Sequence, residues 1–193
     1  MLTTKCYYII SLMAKAGIQI IATLAFLGHT ALVVLFVLFL AQTFFKNKLL
    51  KKLRSHLAPK SYYLVFFLSF IATLSSLFLS EVMKFPPCVL CWYQRIAMYP
   101  QPILLYLAVV RNERVLTPYL VVLNALGACI ALYHYSLHLF PNVLPAGCDP
   151  SIVGVSCIKG YSFYYGFMTF PYMAFVVFAL NIILLSFSVK KGK

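Results

Sequence analysis

Two cysteines separated by two residues, Cys88 and Cys91, lie in the stretch FPPCVLCWYQRIAMYP, and Arg95 follows four residues after the second. Thiols at this spacing can form a disulfide, supply half of a zinc site or pass electrons by thiol–disulfide exchange. Pro86 and Pro87 cannot continue a preceding helix, so a new helix is expected to start between Cys88 and Cys91. A thiol at a helix N-terminus meets the positive end of the backbone dipole, which favours thiolate. Arg95 then falls on the face of Cys91, one turn deeper, about 6 Å away along the axis at ~1.5 Å per residue. Its charge does not titrate, and a cation inside a membrane is costly enough to suggest a use. That depth suits the head group of a lipid-soluble redox carrier. The competing reading is an anchor that snorkels to lipid head groups. Register with the two cysteines favours the functional one.

A second pair, Cys148 and Cys157, lies in PNVLPAGCDPSIVGVSCIKG, the one sizeable loop. Four cysteines could in principle hold zinc, but the internal spacing of the second pair is too long for the usual ligand pattern. Haem attachment needs a histidine directly after the second cysteine, where this chain has Trp92. Two pairs instead suggest a relay: a loop pair meets a soluble partner, and a membrane-level pair meets the lipid-soluble carrier. The bland alternative is two inert disulfides stapling the loops.

The elements that must position these groups are membrane helices. The chain is 63% hydrophobic and 10% charged, against roughly a quarter charged for soluble domains. Five apolar runs are long enough to span: about Ile18–Phe45, Tyr62–Met83, Cys91–Val110, Tyr119–Phe140 and Phe163–Val189. Residues 1–17 read as a short interfacial segment. The net charge of +13 reflects topology and not nucleic acid. The basic segments KNKLLKKLRSHLAPK, Arg111–Pro118 and the lysine-rich tail all fall on one side of a five-span chain, the cytoplasmic side by the positive-inside rule. Both cysteine pairs then fall on the other side, where disulfides persist.

The motif CVLCWYQRIAMYP, preceded by two prolines, resembles the signature of the DsbB family of disulfide-bond formation proteins, including its shorter BdbC-type members. The YHY at Tyr133–Tyr135 is similar to the BdbC-type pattern. The resemblance covers roughly Tyr62 to Val189. It implies an all-α integral membrane fold: a four-helix transmembrane bundle over residues 61–193, to which residues 1–60 add an N-terminal transmembrane helix and a basic loop. It also implies a bacterial inner-membrane enzyme that reoxidises a DsbA- or BdbD-like thioredoxin-fold thiol oxidase and passes electrons to quinone, ubiquinone or menaquinone. By position, Cys148 and Cys157 would exchange with the partner. Cys88 and Cys91 would be the quinone-proximal pair, with Cys91 nearest the ring and Arg95 at the quinone site. The N-terminal helix departs from the family pattern, and the loop pair is closer in spacing than in DsbB itself.

His134, about 10 Å below the outer end of its span at ~1.5 Å per residue, is a candidate to bring protons to the quinone. A histidine hydrogen-bonded inside the bundle is the favoured competing reading. His134 and His138 share a helix face, but no acid lies near in sequence to complete a metal site. Glu81 and Lys84 read as a local ion pair, Asp149 and Lys159 as neighbours that tune the loop pair, Cys129 as a packing residue, and Cys6 as unpaired. A stapled scaffold and a bundle like vitamin K epoxide reductase remain the alternatives.

Overall fold

The computed structural model describes residues 2–45, 52, 55–111, 114–141, 155–158 and 164–188, with side chains of the first helix described from Lys15 to Leu38. The helices are α1 (Leu2–Phe45), α2 (Ser61–Leu77), α3 (Val89–Met98), α4 (Pro100–Val110), α5 (Thr117–Leu139) and α6 (Phe170–Ser188). A π-helical turn, Phe78–Val82, extends α2. Four stretches are long and apolar enough to cross a membrane: Lys15–Leu38, Ser55–Val82, Thr117–Leu139 and Phe170–Ser188. The protein is an all-helical integral membrane bundle.

The expected third span is formed by α3 and α4, of 10 and 11 residues, joined at Tyr99, whose backbone stays helical (φ −64°, ψ −33°), so only the hydrogen-bond ladder is interrupted. Pro100 and Pro102 withhold two backbone donors there. Between them, the Gln101 side chain donates to the Ala97 carbonyl at 2.9 Å. Residues 1–17 do not form a separate segment. No proline separates them from the apolar run, and α1 is continuous from Leu2.

Below this junction, the bundle is tied by a buried polar cluster with one residue from each of α2, α4, α5 and α6. The Asn181 amide donates to Ser69 Oγ at 3.0 Å and to Gln101 Oε1 and Asn124 Oδ1 at 3.2 Å. Asn124 also donates to Gln101 Oε1 at 3.0 Å. All four residues are fully buried. Hydrocarbon offers these amides no partner, so they must bond one another, which fixes the register of the four helices. Between α5 and α6, Gly127 faces the buried Phe178 ring, and a Cβ there would lie 2.5 Å from it. Only a residue without a side chain allows this approach.

At the opposite end, the polypeptide leaves α2 through Lys84, which takes a left-handed conformation (φ 56°). The Phe85 N–H bonds the Leu79 carbonyl at 3.0 Å. Glu81 accepts a hydrogen bond from Ser80 Oγ, in place of the ion pair expected with Lys84. The pair of prolines that follows delivers the chain to α3.

Candidate functional site

Cys88 caps α3. Its backbone is extended (φ −74°, ψ 174°), and its Sγ accepts the Cys91 N–H at 3.4 Å. The expected helix start is therefore realised with the first cysteine as the cap. The two sulfurs stand 3.0 Å apart, and both are free thiols. Cys157 is disulfide-bonded. Its expected partner Cys148 lies outside the described residues, as do Asp149, Lys159 and the side chain of Cys6.

The two cysteine pairs meet through α5. The donor atoms of Cys88, His134 and Cys157 all lie within 4.8 Å of one another. Each of the three residues is at least 96% buried, so the junction is dry. His134 Nε2 is 3.6 Å from Cys88 Sγ, and His134 Nδ1 is 3.0 Å from the Gln94 amide nitrogen. An amide nitrogen only donates, so Nδ1 is the acceptor and the ring proton sits on Nε2, aimed at the sulfur. The His138 ring stands edge-on to His134 at 4.9 Å. Cys157, committed to a disulfide, cannot serve as a thiolate ligand, so this trio does not make a metal site.

Cys88, which precedes the helix, titrates below the ordinary thiol range. The hydrogen bond from Cys91 is the largest cause, burial the next and opposed to it, and the hydrogen bond and electrostatic pull of the His134 ring add to the lowering. Together with the Cys91 backbone N–H, the lowering contacts outweigh burial. The site thus holds a stabilised thiolate close to a disulfide.

Arg95 is one turn below Cys91, as the spacing requires. Its Nε donates to Ser76 Oγ at 3.1 Å and its terminal nitrogen to the Ser76 carbonyl at 3.2 Å. Trp92 and Tyr99 flank the guanidinium at 5.3 and 5.9 Å from their ring centres. The charge is held by α2 and aromatic faces, and no described carboxylate pairs with it. An anchor would snorkel outward; this side chain lines a partly open pocket of about 230 Å³ together with Cys88, Cys91, Gln94 and His134. Two further lining residues carry buried polar atoms with no protein partner, Thr169 Oγ1 and His138 Nδ1.

The chain matches the family described as "Disulfide bond formation protein DsbB" over residues 59–187. The chain belongs to the DsbB family. Similar proteins include "Probable disulfide formation protein C 1" of Bacillus cereus, 45% identical over 125 residues, or 65% of this chain and 88% of that protein. "SPbeta prophage-derived disulfide bond formation protein B" of Bacillus subtilis is 45% identical over 63% of this chain and 80% of its own length. "Disulfide bond formation protein C" of Bacillus subtilis is 40% identical over 58% of this chain and 80% of its own length. No solved structure matches. As a DsbB-family protein, the chain is a membrane oxidoreductase that forms disulfides. Its helix α1 lies outside the matched residues.

The structure brings Cys88, Cys91, Cys157, Arg95 and His134 to one site. His134 contacts a sulfur directly, which sequence depth alone did not reveal. Gln94, Ser76 and Thr169 were missed as participants. Their common signal is a polar side chain inside an apolar run. Cys129, expected to pack inside, is exposed on the outer face of α5.

Proposed function

We propose that this protein takes electron pairs from an extracytoplasmic dithiol protein with a thioredoxin-like fold and delivers them to a membrane quinone. The observation that carries this reading is the contact of the Cys157 disulfide with Cys88, whose partner Cys91 opens beside Arg95 onto an apolar cavity. The placement of basic segments supports cysteine pairs outward and the C-terminus inside, and the Bacillus relatives support a bacterial cytoplasmic membrane.

The electron pair moves in balanced steps. The partner's dithiol gives up two electrons and two protons, becomes a disulfide, and leaves Cys148 and Cys157 as thiols. Cys157 thiolate attacks Cys88 of the inner disulfide, forming a Cys157–Cys88 bond and releasing Cys91 as thiolate. Cys148 then attacks Cys157, which restores the loop disulfide and expels Cys88. Because His134 and Cys91 stabilise Cys88 as thiolate, Cys88 leaves readily, and electrons are drawn inward.

The residues lining the cavity fit a quinone. The walls are mostly apolar, and Arg95 and Thr169 Oγ1 offer donors suited to carbonyl oxygens. A bound quinone supplies the two-electron, two-proton acceptor that re-forms the Cys88–Cys91 disulfide. Arg95 and Thr169 would hold it, Cys91 would face it, and His134 and His138 line the same cavity for proton handling. An inert pair of staples is the weaker reading, since a Cys88–Cys91 link three residues apart would close too short a loop to staple anything.

The test is the thiol state of the purified protein, read by alkylation, with a reduced thioredoxin-like oxidase and with or without quinone. Quinone is expected to return all four cysteines and the oxidase to disulfides, and Cys91→Ser to stop it. Cysteines that ignore both reagents would overturn the relay.

A further inference from the structure

We propose that α1, the helix outside the family-matched region, is a specificity-determining wall of the carrier pocket and holds the prenyl chain of the quinone. The proposal rests on the quinone reading above and goes beyond it by assigning tail recognition to this helix.

The cavity that exposes Cys91 and Arg95 is also lined by Ile21, Leu24, Ala25 and Gly28 of α1. Every polar lining group comes from the other elements, and α1 contributes only apolar surface. The pocket thus has a polar end at α3 and an apolar flank at α1. An amphipathic molecule with a polar ring and a hydrocarbon tail fits that division. At about 230 Å³ the cavity is also smaller than the ~300–1,000 Å³ that encloses a drug-sized ligand, so it holds the ring and the start of a tail.

Helix α1 is docked, not merely adjacent. Ala22 is fully buried and Ile18 nearly so. At Gly28 a Cβ would lie 3.3 Å from Val176 and 3.6 Å from Leu180, so the glycine lets α1 settle against α6. At Gly17 a Cβ would lie 2.7 Å from the Phe78 ring beyond α2. Helix α1 therefore lies across the groove between α2 and α6 and forms one wall of the pocket. Three of the few polar side chains in this mostly apolar run fasten it. His29 Nδ1 lies 2.8 Å from the Tyr172 hydroxyl, Thr23 Oγ1 3.1 Å and Gln19 Nε2 3.3 Å from the Tyr165 hydroxyl. Such interhelical bonds are a main cohesive force where no hydrophobic effect operates. Tyr165 reaches α1 from a left-handed backbone (φ 51°), an unfavourable conformation for a side-chain-bearing residue. The turn is shaped to receive α1.

Two measurements on the full chain in lipid decide the matter. The first labels the wild-type protein with a quinone that carries an aryl azide on its side chain, followed by peptide mapping. Adducts are expected on α1 between Ile21 and Gly28. The second compares quinone KM and thiol exchange with the reduced oxidase in Ala25→Phe and in Leu27→Phe, a change on the lipid-facing side. Ala25→Phe is expected to raise KM for a prenylated quinone about tenfold or more by overfilling the pocket. It should leave thiol exchange unchanged, and Leu27→Phe should change neither. Adducts confined to α2, α3 and α6, or a KM unmoved in a folded Ala25→Phe protein that still reduces quinone, would overturn the assignment of α1 alone. The labelling result stands even if Ala25→Phe does not fold. Failure of the wild-type protein to reduce any quinone would overturn the quinone reading and this proposal with it.

Discussion

Replacing His134 with alanine removes the ring N–H that faces the Cys88 sulfur at 3.6 Å. A hydrogen bond to a charged group contributes about 1.5–3 kcal/mol, and a long contact to sulfur belongs at the lower end. The bond stabilises the reduced pair, in which Cys88 is thiolate, and does nothing comparable for the Cys88–Cys91 disulfide. Its loss therefore makes the pair a stronger reductant. About 1.4 kcal/mol corresponds to ~30 mV for a two-electron couple and to a tenfold change in equilibrium constant. The potential of the Cys88–Cys91 pair should fall by about that amount, and electrons should be retained about tenfold more on the loop pair. The assay is equilibration of the purified protein in a series of thiol redox buffers, acid quenching, alkylation and counting of modified cysteines. His134→Gln, which keeps a donor on the side chain, should fall between the two. A potential unchanged to within ~10 mV, or shifted upward, would refute the reasoning about Cys88. If quinone reduction nonetheless dropped, the role of His134 would lie in proton supply to the cavity.

The pH dependence of the same potential follows from the lowered Cys88 pKa. The stabilisation of the reduced state by Cys88 is fully present above the ordinary thiol pKa and is lost as pH falls through the native value. Near neutrality the pair then takes up one proton per two electrons, and its potential should change by ~30 mV per pH unit; the ~59 mV of a two-proton couple should return only in acid. Arg95→Gln should lower quinone reduction by about a hundredfold through loss of a charged donor, while exchange between the loop and inner pairs, followed by alkylation without quinone, stays within about twofold of wild type. Gly127→Ala places a methyl against the Phe178 ring. It should destabilise the bundle by about 1–3 kcal/mol in detergent unfolding, with partial recovery in combination with Phe178→Leu.

Chemistry arising from local spacing was readable in the sequence. The start of α3 at Cys88 follows from Pro86 and Pro87, and the position of Arg95 below Cys91 follows from helix geometry. Interactions between helices were not readable. The Gln94–His134–Cys88 chain joins α3 to α5 across 40 and 46 positions, and no periodicity within either helix indicates that pairing. The interrupted hydrogen-bond ladder at Tyr99 follows from Pro100 and Pro102, while the backbone there stays helical, as the continuous apolar run suggested. Helix α1 concealed its role most fully. In lipid its outward side is as apolar as its docked side, so no amphipathic stripe marks the face that lines the cavity. Its informative residues were the exceptions, Gln19, Thr23 and His29.

The pairing of α1 with α6 also has a consequence for timing. These are the first and last helices described, and His29 meets Tyr172 across 143 positions. They run side by side in the same direction, since Gln19 meets Tyr165, His29 meets Tyr172 and Gly28 meets Val176 and Leu180 in turn. Chains emerge from the ribosome N-terminus first, and distant contacts form only when both ends exist. Both cysteine pairs precede α6 in the chain. A half-made protein thus carries its thiols before it has a complete pocket, and α1 waits in the bilayer without its partner. The last helix completes the wall of the pocket beside Cys91 and Arg95, so that pocket exists only in the finished protein.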